Sequence, residues 1–289
     1  MLPEKAAPRP SRPRSAWRRS ATVAFVAVWP LLAGFSLPAA SPPLKLAAAS
    51  SYLECAARDL LGSSVEFVRL AEPGMCPGHF DLRPSQFSDL NQCRALLRFD
   101  FQKAVDGKLT SLVEGGMRIV EVTGSGGMGE TASYLRACRE LAEAFVASGL
   151  LAREAAAPRL ADVAARVNAC AAKLQRECQD AGINSLPVLA SGHQKDFCTS
   201  LGLRVVTSFR APDLARIREV DNAVQLARES GVKLVIANRP EGRRLADALA
   251  ERLGAKVVEF ANFPDPRQGQ PAFDQMISAN VRALLDAAR

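Results

Sequence analysis

The chain of 289 residues holds two histidines, His79 and His193. His79 lies in Pro73-Gly74-Met75-Cys76-Pro77-Gly78-His79-Phe80-Asp81, a stretch that brings an imidazole, a thiol and a carboxylate together on a turn-rich segment. Zinc takes Cys sulfur, His nitrogen and carboxylate oxygen, commonly four donors in all, so this spacing suits a metal ion. His193 lies in Leu189-Ala190-Ser191-Gly192-His193-Gln194. Both histidines follow apolar runs that read as strands, residues 65–70 and 186–190, and both lead into a helical pattern. Ligand sites in open α/β sheets collect outside the carboxyl ends of strands. Two imidazoles in matching places in different halves of the chain therefore point to a ligand held between two lobes. Taken singly, each reads equally well as a surface or capping histidine. Oxygen donors are also available after other strands, at Glu130, Glu241, Asn262 and Asp265, although each alone reads as a helix cap or a solvated side chain.

Two other motifs could carry chemistry. Cys76 with His193 as base would form a nucleophilic pair, but nothing marks an oxyanion hole or a third orienting group. Gly124-Ser125-Gly126-Gly127-Met128-Gly129 fits G-x-G-x-x-G between a strand and a helix, the context of a nucleotide fingerprint. It follows the fourth strand of its half, and no acidic residue closes a next strand about twenty residues on. A nucleotide-dependent α/β enzyme using this loop is therefore the alternative reading. A flexible or ligand-facing glycine loop is the preferred one.

The elements that must position these residues alternate between strand and helix, which implies parallel sheets. In the first half, strands are expected at 44–49, 65–70, 94–99 and 117–122, with helices at 51–61, 84–90, 100–106 and 131–147. Residues 150–181 then show no strand signal. Leu160, Val163, Ala164, Val167, Cys170, Ala171 and Leu174 recur at helical spacing, with Pro158 expected in the first turn, where proline is tolerated. The alternation resumes with strands at 186–190, 203–207, 233–237 and 256–260 and helices at 193–201, 213–230, 241–253 and 271–288. The fold class is α/β: two lobes, each a roughly four-stranded parallel sheet flanked by helices, joined by a long rigid helix. The divisions fall at 41–149, 150–182 and 183–289, with no residue-level internal repeat.

Composition narrows the function. Apolar residues at 48% and charged residues at 23% are ordinary for a soluble globular chain. The net charge of +7 lies mostly in residues 1–20, where Lys5, Arg9, Arg12, Arg14, Arg18 and Arg19 face a single Glu4. No basic stripe with interleaved aromatics remains, so no nucleic-acid partner is expected. Residues 1–40 read as a signal peptide, with a basic region, an apolar run over 21–37 and small residues near Ala40, where cleavage is expected. A twin-arginine route through Arg18-Arg19 stays open. An uncleaved anchor is the rival, weakened by Pro30 and Gly34 within a run short for a span. Export to the periplasm would permit disulfides. The seven cysteines leave at least one thiol free, metal-bound or paired between chains. Cys170 and Cys178, two turns apart on one helix, cannot bridge each other.

Together these residues resemble the periplasmic metal-binding proteins of zinc and manganese ABC transporters. The resemblance rests on Lys45-Leu46-Ala47-Ala48-Ala49-Ser50, Leu60-Leu61-Gly62, Pro73-Gly74 leading to His79, and Pro84-Ser85. In the second half it rests on His193 with Phe197 and Gly202-Leu203, then Gly231-Val232-Lys233-Leu234-Val235-Ile236 and Gly254-Ala255-Lys256-Val257-Val258. It implies two lobes on a rigid helix, a divalent metal ion carried as transported ligand in the cleft, delivery to an ABC permease, and no catalysis. His79 matches the family's first histidine, and His193 matches a position that is His or Glu. The loop expected to hold a second histidine, residues 124–130, has none, and Asn262 stands where an aspartate is expected. The His-rich loop of many zinc members is absent. The metal set implied is His79, His193, Cys76 and Asn262, with the thiolate favouring zinc over manganese. Since neutral imidazole is the ligand, affinity should fall as pH drops below about 6.5. The chain is expected to be a monomer. Alternatives within this fold are a protein that binds a metal chelate, or an adhesin or scaffold without metal.

Overall fold

A computed structural model describes residues 43–75, 84–124 and 126–289. The expected leader, Cys76, His79 and Asp81 lie outside the described residues.

The first sheet is built from β1 (Lys45–Ala48), β2 (Glu66–Arg69), β3 (Ala95–Phe99) and β4 (Arg118–Val122), all parallel in the order β2-β1-β3-β4. The second is built from β5 (Pro187–Ser191), β6 (Arg204–Phe209), β7 (Leu234–Asn238) and β8 (Lys256–Phe260), parallel in the order β6-β5-β7-β8. The inner strands β3 and β7 are buried throughout. Strands covered on both faces read as continuous apolar runs, which is why they stand out in the sequence.

The strand orders correct one inference from sequence. They make β5 the counterpart of β1, and β6 the counterpart of β2. The segment with His79 follows the edge strand β2, whereas His193 follows the inner strand β5, so the strands that lead to the two histidines are not counterparts. Strand order is set by tertiary pairing and leaves no local trace. The same orders reveal a topological repeat that residue-by-residue comparison does not.

Helix α1 (Ser51–Leu61) is bounded at both ends by its own sequence. Ser50 is extended and its hydroxyl accepts from the Leu53 amide at 3.3 Å, while Gly62 at φ +83° turns the chain away. Then come α2 (Pro84–Leu90), a 3-10 turn over Asp100–Lys108 and the short, unanticipated α3 (Thr110–Glu114). Helix α4 (Thr131–Ala147) leads to α5 (Arg153–Asp180), whose 28 residues run about 42 Å at 1.5 Å per residue. Pro158 lies in its second turn, not the first, because the helix starts earlier than its apolar periodicity does. In the second half, α6 (Lys195–Ser200) and α7 (Ile217–Glu229) are followed by α8 (Arg244–Leu253) and α9 (Phe273–Ala288).

One apolar core runs through both halves. It joins Leu46, Leu97 and Val122 of the first sheet, Leu53 of α1 and Leu141 of α4 to Val163 and Val167 of α5, then to Ile236 of β7 and Ile277 of α9. Separate clusters cover the outer face of each sheet. Arg166 of α5 ties the halves further, pairing with Asp59 of α1 and Asp274 of α9. Tyr134 of α4 stacks on Phe273 of α9 at 4.1 Å and 9°, and Tyr52 of α1 meets Phe263 and Phe273 edge-on. The two sheets are thus joined by continuous packing.

Candidate metal centre

The carboxyl end of the second sheet gathers the polar residues. Its strand order reverses between β5 and β7, the switch point at which ligand crevices form in open α/β sheets. Strand β5 ends on Ser191, and a 3-10 turn over Gly192–Gln194 carries His193 and Gln194. Strand β7 ends on Asn238, followed by a 3-10 turn over Arg239–Glu241. The His193 side chain is 65% exposed, and its Nε2 lies 3.2 Å from Glu241 Oε1. Ser191 Oγ donates to the other carboxylate oxygen, Oε2, at 2.9 Å. Glu241 is largely buried, and its Oε1 receives no hydrogen bond. Since the serine hydroxyl meets the carboxylate rather than the imidazole, the three do not form a nucleophilic triad, in which the base must contact the hydroxyl.

Beneath them lies a layer of buried carboxamides. Gln194, fully buried, donates Nε2 to Asn238 Oδ1 at 3.0 Å and to Asn262 Oδ1 at 2.8 Å. Asn262 follows β8, and the preceding Ala261 is fixed by Asn280, which accepts from its amide at 2.8 Å and donates to its carbonyl at 2.9 Å. Asn262 is thus close to His193 along the strand ends, but its carbonyl oxygen already accepts one hydrogen bond. A second lone pair remains on such an oxygen.

The other proposed oxygen donors are placed differently. Asp265 is buried, and its Oδ1 accepts from the Arg267 amide at 3.0 Å and from Arg267 Nε at 3.1 Å. The Arg267 guanidinium also reaches the Pro73 carbonyl and Glu72 in the first half, so Asp265 belongs to a contact between the halves. A Cβ at Gly74 would lie 3.1 Å from Asp265 Oδ2, which leaves glycine as the residue that fits there. Glu130 sits at the start of α4 and accepts weakly from Ser133 at 3.5 Å. Among the described residues, no three His, Cys, Asp or Glu side chains converge tightly enough to hold an ion by themselves. Ser191 and Gln194 were not anticipated as site residues. Their signal in the sequence is two polar residues flanking a histidine where an apolar strand stops.

The glycine run has a packing role. Cβ atoms built at Gly124, Gly126 and Gly129 would approach the Phe101 ring to 2.5 Å, Ser133 Oγ to 2.6 Å and Phe197 Cγ to 2.8 Å. Asp100 Oδ1 accepts from the Gly124 amide at 3.1 Å, and Glu130 and Asp196 line the same turn. A phosphate cradle needs free amides and positive surroundings. Here side chains occupy the space and carboxylates border it, so the nucleotide reading finds no site.

The thiols are quiet. The six described cysteines are free, and five are buried. Burial pushes the Cys55 thiol up to about 12, and raises Cys138 and Cys198 further still. Such groups are neither nucleophiles nor ready metal ligands.

No protein-family model matches the chain, and no curated protein sequence does. Solved structures share its architecture. ZnuA is 13% identical, with 86% of this chain aligned to 100% of that one at a TM-score of 0.68. A manganese-bound periplasmic metal-binding protein from Candidatus Liberibacter asiaticus is 11% identical, with 85% of this chain aligned to 100% of that one at a TM-score of 0.71. The fold is that of periplasmic metal-binding proteins. Its cadmium-bound form aligns at a TM-score of 0.70 and a zinc-bound ZnuA deletion mutant at 0.68. These neighbours are metal-binding proteins rather than enzymes, and the two four-stranded sheets with the α5 spine are what this chain shares with them. No helix among the described residues is long and apolar enough to cross a membrane.

Proposed function

We propose that this chain is an exported solute-binding protein that captures a divalent metal ion in the cleft between its two sheets and delivers it to an ABC permease in the membrane. Zinc is favoured over manganese. His79 and Cys76 from the segment after β2, with His193 and Asn262 from the second sheet, are the proposed donors. The observation that carries the reading is the exposed imidazole of His193 at the switch point of the second sheet, set against a buried carboxylate in the fold of metal-binding proteins. An exposed imidazole backed by oxygen donors suits zinc, which accepts nitrogen and oxygen ligands together. The continuous core behind the cleft suits a carrier that presents its cargo on one rigid face. The amino-terminal leader would take the chain to the periplasm, where it would act as a monomer.

The test is metal-dependent thermal unfolding of the mature chain. A ligand that binds the folded state raises stability by RT ln(1 + [L]/Kd), about 2.7 kcal/mol at a hundredfold excess over Kd. Zinc should raise the midpoint by several degrees, manganese by less, and the His79→Ala, His193→Ala double variant should lose the rise. Equal midpoints with and without zinc in the unsubstituted chain would contradict the proposal.

A further inference from the structure

We infer that Glu241 is a direct ligand of the transported ion and supplies the negative charge that Asn262 lacks. The inference rests on the metal-binding reading above and names the anionic donor of the second sheet. Three observations lead to it. First, Glu241 Oε1 and His193 Nε2 are 3.2 Å apart. Two donors each about 2.1 Å from a tetrahedral zinc ion stand about 3.4 Å from each other. The pair therefore already has close to the separation an ion imposes.

Second, Glu241 Oε1 is buried and accepts no well-formed hydrogen bond; it meets only the exposed imidazole of His193 at 3.2 Å, whereas Oε2 is held by Ser191. A buried carboxylate oxygen that faces an imidazole nitrogen without a well-formed hydrogen bond is under-satisfied, and a cation held between the two removes that cost. Ser191 then plays the part that outer hydrogen bonds play at metal sites, fixing the carboxylate's orientation while leaving one oxygen free. Third, the layer beneath the pair is neutral, and the arginine next along the chain from Asn238 is already paired. Gln194, Asn238 and Asn262 are neutral amides bonded to one another, and Arg239 is paired with Glu259 at 2.8 Å. The exposed face of His193 leaves room for the ion's remaining ligands.

The charge argument favours Glu241 over Asn262 as the stronger donor. A neutral amide oxygen binds a divalent ion without offsetting its charge, and Asn262 Oδ1 is already engaged by Gln194. Asn262 would then hold Gln194 in place, or complete the coordination through its second lone pair. Asp265 is a poorer candidate for the charge, because Arg267 neutralises it.

The experiment is calorimetric titration of the mature chain with zinc chloride, comparing the unsubstituted protein with Glu241→Gln, Asn262→Ala and Ser191→Ala. Glu241→Gln keeps the shape and one hydrogen-bond acceptor, so apo-state unfolding and circular dichroism should match those of the parent. Loss of an ion ligand or of its outer support commonly costs about 10–100-fold in affinity. Zinc affinity should fall by at least about tenfold in Glu241→Gln, and by less in Ser191→Ala and Asn262→Ala. X-ray absorption at the zinc edge should show one fewer oxygen neighbour in Glu241→Gln. Should that variant prove unstable, Glu241→Asp provides the second arm, with weakened zinc binding expected from the shortened reach. Unchanged affinity in folded Glu241→Gln, while His193→Ala loses zinc, would overturn this inference and leave the metal-binding reading standing. Absence of zinc binding by the parent chain would overturn both.

Discussion

Substitution of Gly129 by alanine tests whether the glycine run is a packing seam between the two halves. Gly129 precedes α4 and faces Phe197 of α6, so the contact crosses from one sheet's layer to the other. An added Cβ would lie 2.8 Å from Phe197 Cγ and 3.1 Å from its Cβ and Cδ1. Carbon atoms in contact prefer about 3.5–4.0 Å, so one side must yield by roughly 0.7–1.2 Å. Phe197 is buried and meets Phe260 edge-on at 5.6 Å, which leaves it little room. Overpacking of this kind costs about 1–3 kcal/mol. Gly129 does not need a positive φ, so alanine also recovers about 0.4–1 kcal/mol by restricting the unfolded chain. The ranges leave a net loss centred on about 1.3 kcal/mol, or roughly 3–5 °C in midpoint at about 2–4 °C per kcal/mol. Differential scanning fluorimetry reads this directly. In a Phe197→Ala background the cost should shrink, because the Cγ and Cδ1 atoms that clash are gone. A Gly129→Ala chain as stable as the parent, or the same cost in both backgrounds, would refute the reasoning.

Three further outcomes are expected. Burial lifts the Cys55 thiol from its ordinary 9.0 to about 12, so between those pH values the unfolded chain loses a proton that the folded chain keeps. Stability is full below pH 9 and should fall as pH rises through that window, by about 1.4 kcal/mol per pH unit for the one thiol. Alkaline thermal melts of Cys55→Ala should be correspondingly flatter, and N-ethylmaleimide at neutral pH should modify Cys55, Cys138, Cys178 and Cys198 only after unfolding. Replacing Arg166 by methionine should cost about 1–2 kcal/mol, since Asp59 and Asp274 are partly buried and lose their shared partner. Chemical denaturation measures it, and a chain of undiminished stability would show that the aromatic contacts alone join α1 to α9.

Much of the fold could be read from the sequence because its strands are short, doubly covered apolar runs punctuated by glycine and serine. Helix α4 and strand β8 begin and end where the pattern places them, and α5 was evident from a long stretch with helical spacing and no strand signal. Pro158 was misplaced by one turn because exposed residues ahead of the apolar stripe carry no periodicity. That the strands leading to the two histidines are not counterparts could not be read locally, because pairing order is a tertiary property. His193 could be found since histidine is scarce in this chain. Its partnership with Glu241 could not, because the two residues sit on turns after different strands and meet only when β5 and β7 pair. The glycine run imitated a nucleotide fingerprint because close side-chain approach and close phosphate approach both demand glycine, and only the neighbours tell them apart.

The most direct measurement of the central claim is metal content by elemental mass spectrometry on the mature chain purified without chelator, beside the His79→Ala, His193→Ala double variant. About one divalent ion per chain, as a binding protein with one cleft requires, absent from the variant, is the expected result, with zinc as the ion. No metal in either protein, even after incubation with zinc and removal of the excess, would contradict the account.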